Sequence, residues 1–367
     1  MTEQLEYVTN SCAKIKDDSI ARCTYYGFVL FLIFFMAFVY FFYVIPSLDQ
    51  IIPWQLYSDS VTYEKIALNL TEISVSNLLT INGNLIGPIL LYKCVGYNRD
   101  IIVLINICCF MATLYMLRPI FRYTLLSVAF LLLINPLIFL SILTLNKEIP
   151  SLLIIALVIH ARINSKKRYF IIALLFSIFV RYQLTLFLAM YFLSFSRLNF
   201  FRKSKLVTVI ILVLTVSVLY AILSKNLFSS IAMIGTEKTE GGTGLMNKLN
   251  EIQRRGGYFL IVFMKVFFIM TLLITKISKF GQVDDFWNFT IILSHSLACF
   301  CMLISIGVKI FMRKLSTRNE IIYLMILYAV FFGVSPIFAP RYFLIEYFLG
   351  ILLLTARRLP VFYFAKL

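Results

Sequence analysis

The sequence predicts an all-α, polytopic integral membrane protein, and three features of its composition indicate this class. Of the 367 residues, 61% are hydrophobic and 14% are charged, and long apolar runs recur along the chain. Several runs approach the ~20 residues that a helix needs to cross a bilayer. The Lys and Arg residues, which give a net charge of +17, fall in short clusters between the runs. Such clusters are typical of cytoplasmic loops, so we predict no nucleic-acid partner.

We predict about 10–12 transmembrane helices in one domain over residues 25–357, between cytoplasmic tails at 1–24 and 358–367. The expected spans are 25–46, 101–117, 123–143, 149–161, 206–224, 258–276, 288–311, 321–339 and 341–356, with a hairpin of two short helices over 169–196. The first span is too long for a signal-peptide core. The polar segment 225–257, with scattered glycines, is expected to be a long mobile loop.

Residues 47–100 are predicted to form an outer loop that contains interfacial or re-entrant helices. The part 47–76 holds four acidic residues and a single lysine, the opposite of the bias of cytoplasmic loops. The piece 82–96 is apolar but short, and Gly87 and Pro88 interrupt it. We therefore expect it to lie at the interface rather than to cross the membrane.

Clusters of basic residues set the orientation of the other loops. The loops at 118–122, 162–168 and 197–205 each carry Lys or Arg residues and are expected in the cytoplasm. Strict alternation of the spans then puts the basic stretch 309–318 on the outer side, which conflicts with its charge. One segment between 169 and 276 must therefore cross differently, and the sequence does not tell which one.

Asp59 is the main candidate for a chemical role. It lies in a polar stretch after the first span, and Tyr63 shares its face if the stretch is helical. An acid at the membrane surface, flanked by hydroxyl groups, can serve as a general base. The spacing also allows Asp59 to cap a helix over 60–70, with Glu64 in its first turn. Both roles remain open at this point.

Other charges lie in or beside the apolar runs, where an ionisable side chain is costly and by default functional. Arg181 and Arg341 are each followed by Tyr and fall at outer helix ends in the predicted topology. A guanidinium can bind a phosphate through two parallel hydrogen bonds, although either arginine could simply pair with an acid. Lys147 and Glu148 lie at a helix start on the same side, where Glu148 also suits the helix dipole.

The remaining polar residues are given structural roles. Lys265 is expected to snorkel to the membrane surface, and Glu346 to pair with a basic neighbour. The seven cysteines are odd in number and lie mostly in apolar runs, so no disulfide framework or zinc pattern follows. With only His160 and His295 in the chain, we predict no metal site.

With these residues placed, the chain resembles a bacterial membrane glycosyltransferase of the GT-C superfamily, and more narrowly the Wzy/EpsG-like polymerases of O-antigen and capsule. The resemblance is in order and spacing over most of the chain. Its features are Asp59 with Tyr63 in the first outer loop, the short piece 82–96, Asn135-Pro136 in a span, Asn146-Lys147-Glu148, Arg181 in the hairpin, and Arg341-Tyr342 before the last helix. The chain departs from the family pattern at two places. It has Lys147-Glu148 where a second outer-loop Asp is typical, and Arg181-Tyr182-Gln183 where a His is common.

The resemblance implies transfer of a sugar or a repeat unit from a polyprenyl phosphate or diphosphate to a lipid-linked acceptor, on the periplasmic face of the inner membrane. It carries the role of catalytic base to Asp59 and phosphate contact to the arginines. The expected substrate-binding residues are Arg181, Arg341, Lys147, Glu148, Tyr63 and Tyr342. No cofactor is implied, because the lipid itself activates the donor sugar. The implied partners are polyprenyl-linked saccharides, membrane lipids, and other polysaccharide-assembly proteins such as a flippase and a chain-length regulator.

Two alternative functions remain. The first is a flippase for the same lipid-linked oligosaccharide, but transporters often show two corresponding halves, and the halves of this chain do not resemble each other. The second is a non-catalytic membrane scaffold, which leaves the charges at the outer helix ends without a reason. The sequence does not give the sugar, the linkage, or the stereochemical course of the reaction.

Overall fold

The computed structural model describes residues 26–49, 58–69, 83–195, 204–226, 244–271, 286–315, 319–334 and 340–356. Over these residues every regular element is a helix, which confirms the all-α prediction. The two predicted tails lie outside the described residues. The chain divides into two compact units, Met1–Gln55 and Leu56–Leu367.

The first unit contributes one described helix, α1, over Tyr26–Leu48, with a π-helical turn at Tyr40–Val44. It is long and apolar enough to cross a membrane. Large aromatic side chains such as Phe34 and Phe42 lie exposed on it. An exposed apolar helix of this length is expected to face lipid.

The second unit contains the other described helices. They are α2 (Ser58–Asn69), α3 (Gly83–Cys94), α4 (Arg99–Leu117), α5 (Leu125–Leu133), α6 (Pro136–Ile142), α7 (Glu148–Ile163), α8 (Lys167–Val180), α9 (Tyr182–Phe195), α10 (Lys205–Asn226), α11 (Gly244–Ile252), α12 (Tyr258–Thr271), α13 (Phe286–Phe311), α14 (Glu320–Phe332) and α15 (Leu344–Thr355). Two 3₁₀ turns, Arg118–Ile120 and Pro340–Phe343, follow α4 and precede α15.

Three helices of the described residues are long and apolar enough to cross a membrane, namely α1, α4 with its following turn, and Phe289–Phe311 within α13. In α4, the apolar residues Leu104, Met111 and Tyr115 are exposed, whereas the polar Asn106 and Thr113 are fully buried. This arrangement, apolar outside and polar inside, suits a helix surrounded by lipid. The chain is therefore a helical membrane protein.

The predicted span 123–143 is not one straight helix. Its two parts, α5 and α6, meet at an angle of 102°. Only together are they long and apolar enough to cross a membrane. Pro136 begins α6 and cannot continue a ladder of hydrogen bonds from α5. The Asn135 side chain caps α6 by accepting a hydrogen bond from the backbone of Leu137 at 3.1 Å. The predicted span is therefore bent at the Asn-Pro pair, and it forms either a broken span or a re-entrant loop.

The helices α7, α14 and α15 define two opposite ends of the second unit. At one end, Arg162 at the close of α7 makes two hydrogen bonds to Glu320 at the start of α14, at 2.7 and 3.2 Å. Lys205 lies over the Tyr323 ring at the same end. Arg122 donates its backbone N–H to Thr355 at the close of α15. The loops that carry the basic clusters therefore meet at one end, which we call the basic end.

One further contact bears on the basic stretch 309–318. Lys309, near the close of α13, donates to the carbonyl of Leu354, so α13 also finishes at the basic end. The described part of α12 has 14 residues and is about 21 Å long.

Part of the predicted loop 225–257 is helical. Residues 227–243 lie outside the described residues, but α11 and a π-helical turn at Gln253–Gly257 occupy the remainder up to α12. Gly256 has a φ of 87°, which only glycine adopts without strain, and it forms the kink into α12. The mobile-loop prediction is therefore wrong for 244–257.

Two other charged residues, Lys265 and Glu346, have surroundings that differ from the prediction. Lys265 does not snorkel, because its side chain is fully buried and its Nζ donates to the Gln253 side chain at 2.5 Å. Glu346 is also buried, and its Oε1 has no hydrogen-bond partner among the described residues. Among the described residues, no ion pair of Glu346 with a basic neighbour is observed.

Candidate functional site

The helix α2 is held in place by buried contacts on one face. Ser60 donates its hydroxyl to the carbonyl of Leu145 at 2.8 Å, and Tyr63 and Ala67 pack against Ile89 of α3. All of these residues are almost entirely inaccessible, which fixes the rotation of the helix. The carboxylate of Asp59 is therefore presented from a helix whose orientation is set by packing.

Two asparagines build the turn that precedes α7. Asn106 of α4 donates its side-chain amide to the carbonyls of Ile142 and Thr144, at 3.1 and 2.8 Å. Asn146 donates to the Thr144 carbonyl and accepts the backbone N–H of Glu148 at 2.9 Å. Buried backbone groups outside a helix need such partners, and these side chains supply them. The turn presents Lys147 and Glu148 at the start of α7.

A close approach of two backbones positions Arg181. The Cα of Gly87 in α3 lies against the carbonyl of Phe179, and a Cβ placed there would come within 1.8 Å of that oxygen. Only glycine permits this contact, so α3 packs directly on the last turn of α8. Arg181 follows in extended conformation, with φ of −165°, in the single-residue break before α9.

The most exposed ion pair of the site joins Asp59 to Arg341. The Nη2 of Arg341 lies 2.7 Å from Oδ2 of Asp59, and the two side chains are 15% and 32% exposed. The Tyr63 hydroxyl donates to the same carboxylate oxygen over a longer distance of 3.4 Å. Burial, followed by the charge of Asp59, raises the pKa of Tyr63, so its hydroxyl stays protonated and available as a donor.

A second ion pair lies deeper in the same region. The Nη2 of Arg181 donates to Oε1 of Glu148 at 3.1 Å, and both side chains are almost fully buried. The Arg181 guanidinium also faces the rings of Tyr342 and Phe332, at 5.1 and 5.8 Å from their centroids. Its Nε is buried and has no hydrogen-bond partner among the described residues. A buried arginine with an unsatisfied donor has unused capacity to bind an acceptor oxygen.

Lys147 completes the group. Its Nζ lies 6.0 Å from the centroid of the Tyr63 ring, and the other charged residues of the site act on it electrostatically. Burial, and then the nearby positive charge of Arg181, lower the pKa of Lys147 to about 7. We call the five residues Asp59, Lys147, Glu148, Arg181 and Arg341 the charged cluster.

The charged cluster lies at the end of the molecule opposite the basic end. Lys147 and Glu148 begin the helix α7 that closes at Arg162, and Arg341 precedes the helix α15 that closes beside Arg122. With Lys147 protonated, three cations face two carboxylates, which favours an anionic ligand. The described residues contain no group of His, Cys, Asp and Glu side chains that could hold a metal ion.

The structure brings together every residue that the sequence analysis predicted for the site, including Tyr63 and Tyr342. Three contributors were missed. Tyr328 donates to the carbonyl of Tyr342 at 2.7 Å, Phe332 lies over Arg181, and Asn106 supports the turn before α7. Asn106 could have been found, because a buried amide within an apolar span usually has a fixed partner. Nothing distinguishes the two aromatic residues from other aromatic residues of the spans.

Comparison with known proteins gives no assignment: no family model, no curated protein and no solved structure matches this chain.

Proposed function

We propose that this protein is a membrane glycosyltransferase that polymerises surface polysaccharide, as the resemblance to Wzy/EpsG-like proteins implies. In this proposal, the donor is a sugar or repeat unit on a polyprenyl phosphate or diphosphate, and the acceptor is a second lipid-linked saccharide. The supporting observation is the charged cluster itself, in which one partly exposed carboxylate lies beside three cations at a helix end.

In the proposed reaction, Asp59 is the general base. One of its carboxylate oxygens takes the proton from an acceptor hydroxyl. At the same time, the hydroxyl oxygen of the acceptor forms a bond to the anomeric carbon of the donor. The bond between the anomeric carbon and the phosphate oxygen breaks, and the phosphate leaves with the electron pair. The Tyr63 hydroxyl, which stays protonated, donates to Asp59 and orients it.

The cations stabilise the leaving group. A phosphate is already a good leaving group and needs fixed positive charge more than it needs a proton donor. Arg341 is the first candidate for this contact, because part of its side chain is exposed. Arg181 is enclosed by Glu148 and the aromatic rings. Its predicted phosphate contact therefore requires these neighbours to move.

The proposed location is the outer face of the bacterial inner membrane. The charged cluster and the basic loops lie at opposite ends of α7 and α15, and basic loops are biased to the cytoplasm. We also propose that the fold has about 10–12 membrane spans in a GT-C-like arrangement.

The proposal is tested by separating the surface polysaccharide of a deletion strain by length. A polymerase predicts surface anchors that carry one repeat unit each, and a single-sugar transferase predicts a truncated repeat unit. Complete repeat units that accumulate on the lipid inside the cell, with none at the surface, would instead indicate the flippase.

A further inference from the structure

We propose that the Asp59–Arg341 ion pair is an exchangeable latch, in which the anionic group of the donor takes the place of Asp59 on Arg341 and thereby releases the general base. This inference rests on the proposed function and concerns the regulation of the same site. It follows from a conflict in the geometry, because the residue proposed as the base is bound to the residue proposed as the phosphate ligand.

A carboxylate oxygen that a guanidinium holds is not available to an acceptor hydroxyl. The 2.7 Å contact occupies Oδ2 of Asp59. The same contact occupies a donor of Arg341 that would otherwise point to a phosphate oxygen. While the pair is closed, Oδ2 of Asp59 and Nη2 of Arg341 hold each other and do not meet the acceptor hydroxyl and the phosphate. In the latch, the pair opens when the ligand arrives.

Of the two ion pairs in the charged cluster, only the outer one is suited to exchange. The Asp59 side chain is 32% exposed, so its carboxylate can be rehydrated at little cost when the pair opens. The inner pair, Arg181 with Glu148, is nearly inaccessible, and its opening would leave a charge buried without compensation. The inner pair therefore holds the site together, while the outer pair is available to the ligand.

A diphosphate is the ligand class that the geometry favours. It brings more negative charge than the carboxylate it replaces, and its oxygens match the two-pronged guanidinium. The unsatisfied Nε of Arg181 and the cation of Lys147 lie in the same cluster and add to the attraction. Exchange also imposes an order, in which the donor binds before the acceptor hydroxyl can be deprotonated. The base is then inactive in an enzyme without donor.

The inference is tested by binding without any sugar transfer, on the full-length protein in lipid nanodiscs. Inorganic pyrophosphate and farnesyl diphosphate serve as probes, titrated by calorimetry into wild type, Asp59→Asn and Asp59→Ser. If Asp59 competes for Arg341, both variants bind each probe roughly three- to tenfold more tightly than wild type. The reason is that Arg341 no longer has to be released from Asp59 before it binds the probe. Arg341→Ala should bind neither probe measurably.

The matched control is Glu64→Gln. Glu64 lies on the same helix, five residues after Asp59, and pairs with Arg99 at 2.7 Å. Its neutralisation changes the net charge equally but leaves Arg341 untouched, so the affinity should stay within about twofold of wild type. Unchanged or weaker binding in both Asp59 variants, or equal tightening in Glu64→Gln, would overturn the latch, as would binding of farnesyl diphosphate but not of pyrophosphate.

The latch and the proposed function can fail separately. Tighter binding together with normal polymer in Asp59→Asn would remove the general-base role and leave the exchange intact. An inactive Asp59→Asn with unchanged diphosphate affinity would overturn the exchange and leave the general-base role intact.

Discussion

The guanidinium of Arg341 lies 2.7 Å from the carboxylate of Asp59, although the two residues belong to opposite ends of the sequence. Arg341 sits in the turn before the last described helix, and Asp59 in the first turn of the helix that opens the second unit. This contact joins α2 to the turn that precedes α15. It makes the charged cluster one site rather than a row of separate helix ends.

The topology can be tested by labelling single cysteines. In a variant whose seven native cysteines are replaced by serine, Asn98→Cys should react with an impermeant thiol reagent added to the periplasm. Lys314→Cys, at the basic end, should react only after the cytoplasm is opened, since basic loops favour that side. Both positions are exposed, so lack of access does not explain a difference. Labelling of Asn98→Cys from the cytoplasm alone would reverse the orientation.

Arg341→Lys is expected to lower polymer yield at least about tenfold at normal protein level, since lysine keeps the charge but loses the planar fork. Polymer is measured by gel ladder and protein by immunoblot of membranes. Arg99→Lys is the matched control, because Arg99 also pairs with a carboxylate of α2 but lies outside the charged cluster. Full-length polymer in Arg341→Lys would show that a bidentate contact is not needed there.

Glu148→Gln should destabilise the protein by about 3–5 kcal/mol, because it leaves the buried charge of Arg181 without its counter-ion. The measurement is thermal unfolding in detergent, compared with Glu64→Gln, which affects a more exposed pair and should cost about 1 kcal/mol or less. The double variant Glu148→Gln, Arg181→Met should recover part of the loss. If Glu148→Gln unfolds like wild type, the inner pair does not hold the site together.

Binding of pyrophosphate should weaken as the pH rises through about 7, because Lys147 then loses its proton and its positive charge. The pKa of Lys147 is lowered by burial and then by Arg181, while Glu148 and Asp59 act in the opposite direction and Arg341 in the same one. Folding stability has the opposite sign: an unfolded lysine keeps its proton to about pH 10, so stability rises with pH between about 7 and 10.

The control for this pH dependence is Lys147→Arg, which stays charged over the whole range and also corrects for the titration of pyrophosphate itself. The weakening above pH 7 should be smaller in this variant. Identical pH profiles in wild type and Lys147→Arg would show that Lys147 does not contribute its charge to the ligand site.

The location of the site could be predicted from sequence for a physical reason. A charge at membrane depth is expensive, so Arg181 and Arg341 stand out among apolar residues without any structural information. The basic loops then assign these charges to one side. These two rules suffice to propose that Asp59, Lys147 and the arginines meet at one end, and the structure brings them there.

The pairing within the site could not be predicted. Which arginine faces Asp59 depends on the packing of helices that are far apart in sequence, and no local pattern encodes it. Arg181 is enclosed by the rings of Phe332 and Tyr342 and is positioned by the close contact at Gly87. The bend between α5 and α6 was accessible in principle, because Asn135-Pro136 marks a helix break.

The activity of Asp59→Asn tests the central claim most directly. Asparagine keeps the size of the side chain and can still hydrogen-bond, but it cannot act as a general base. If Asp59 is the general base, polymer synthesis should fall roughly a hundredfold or more while the amount of protein in the membrane stays normal. Wild-type chain length at normal protein level would contradict the claim, and it would leave Asp59 as the partner of Arg341 without a chemical role.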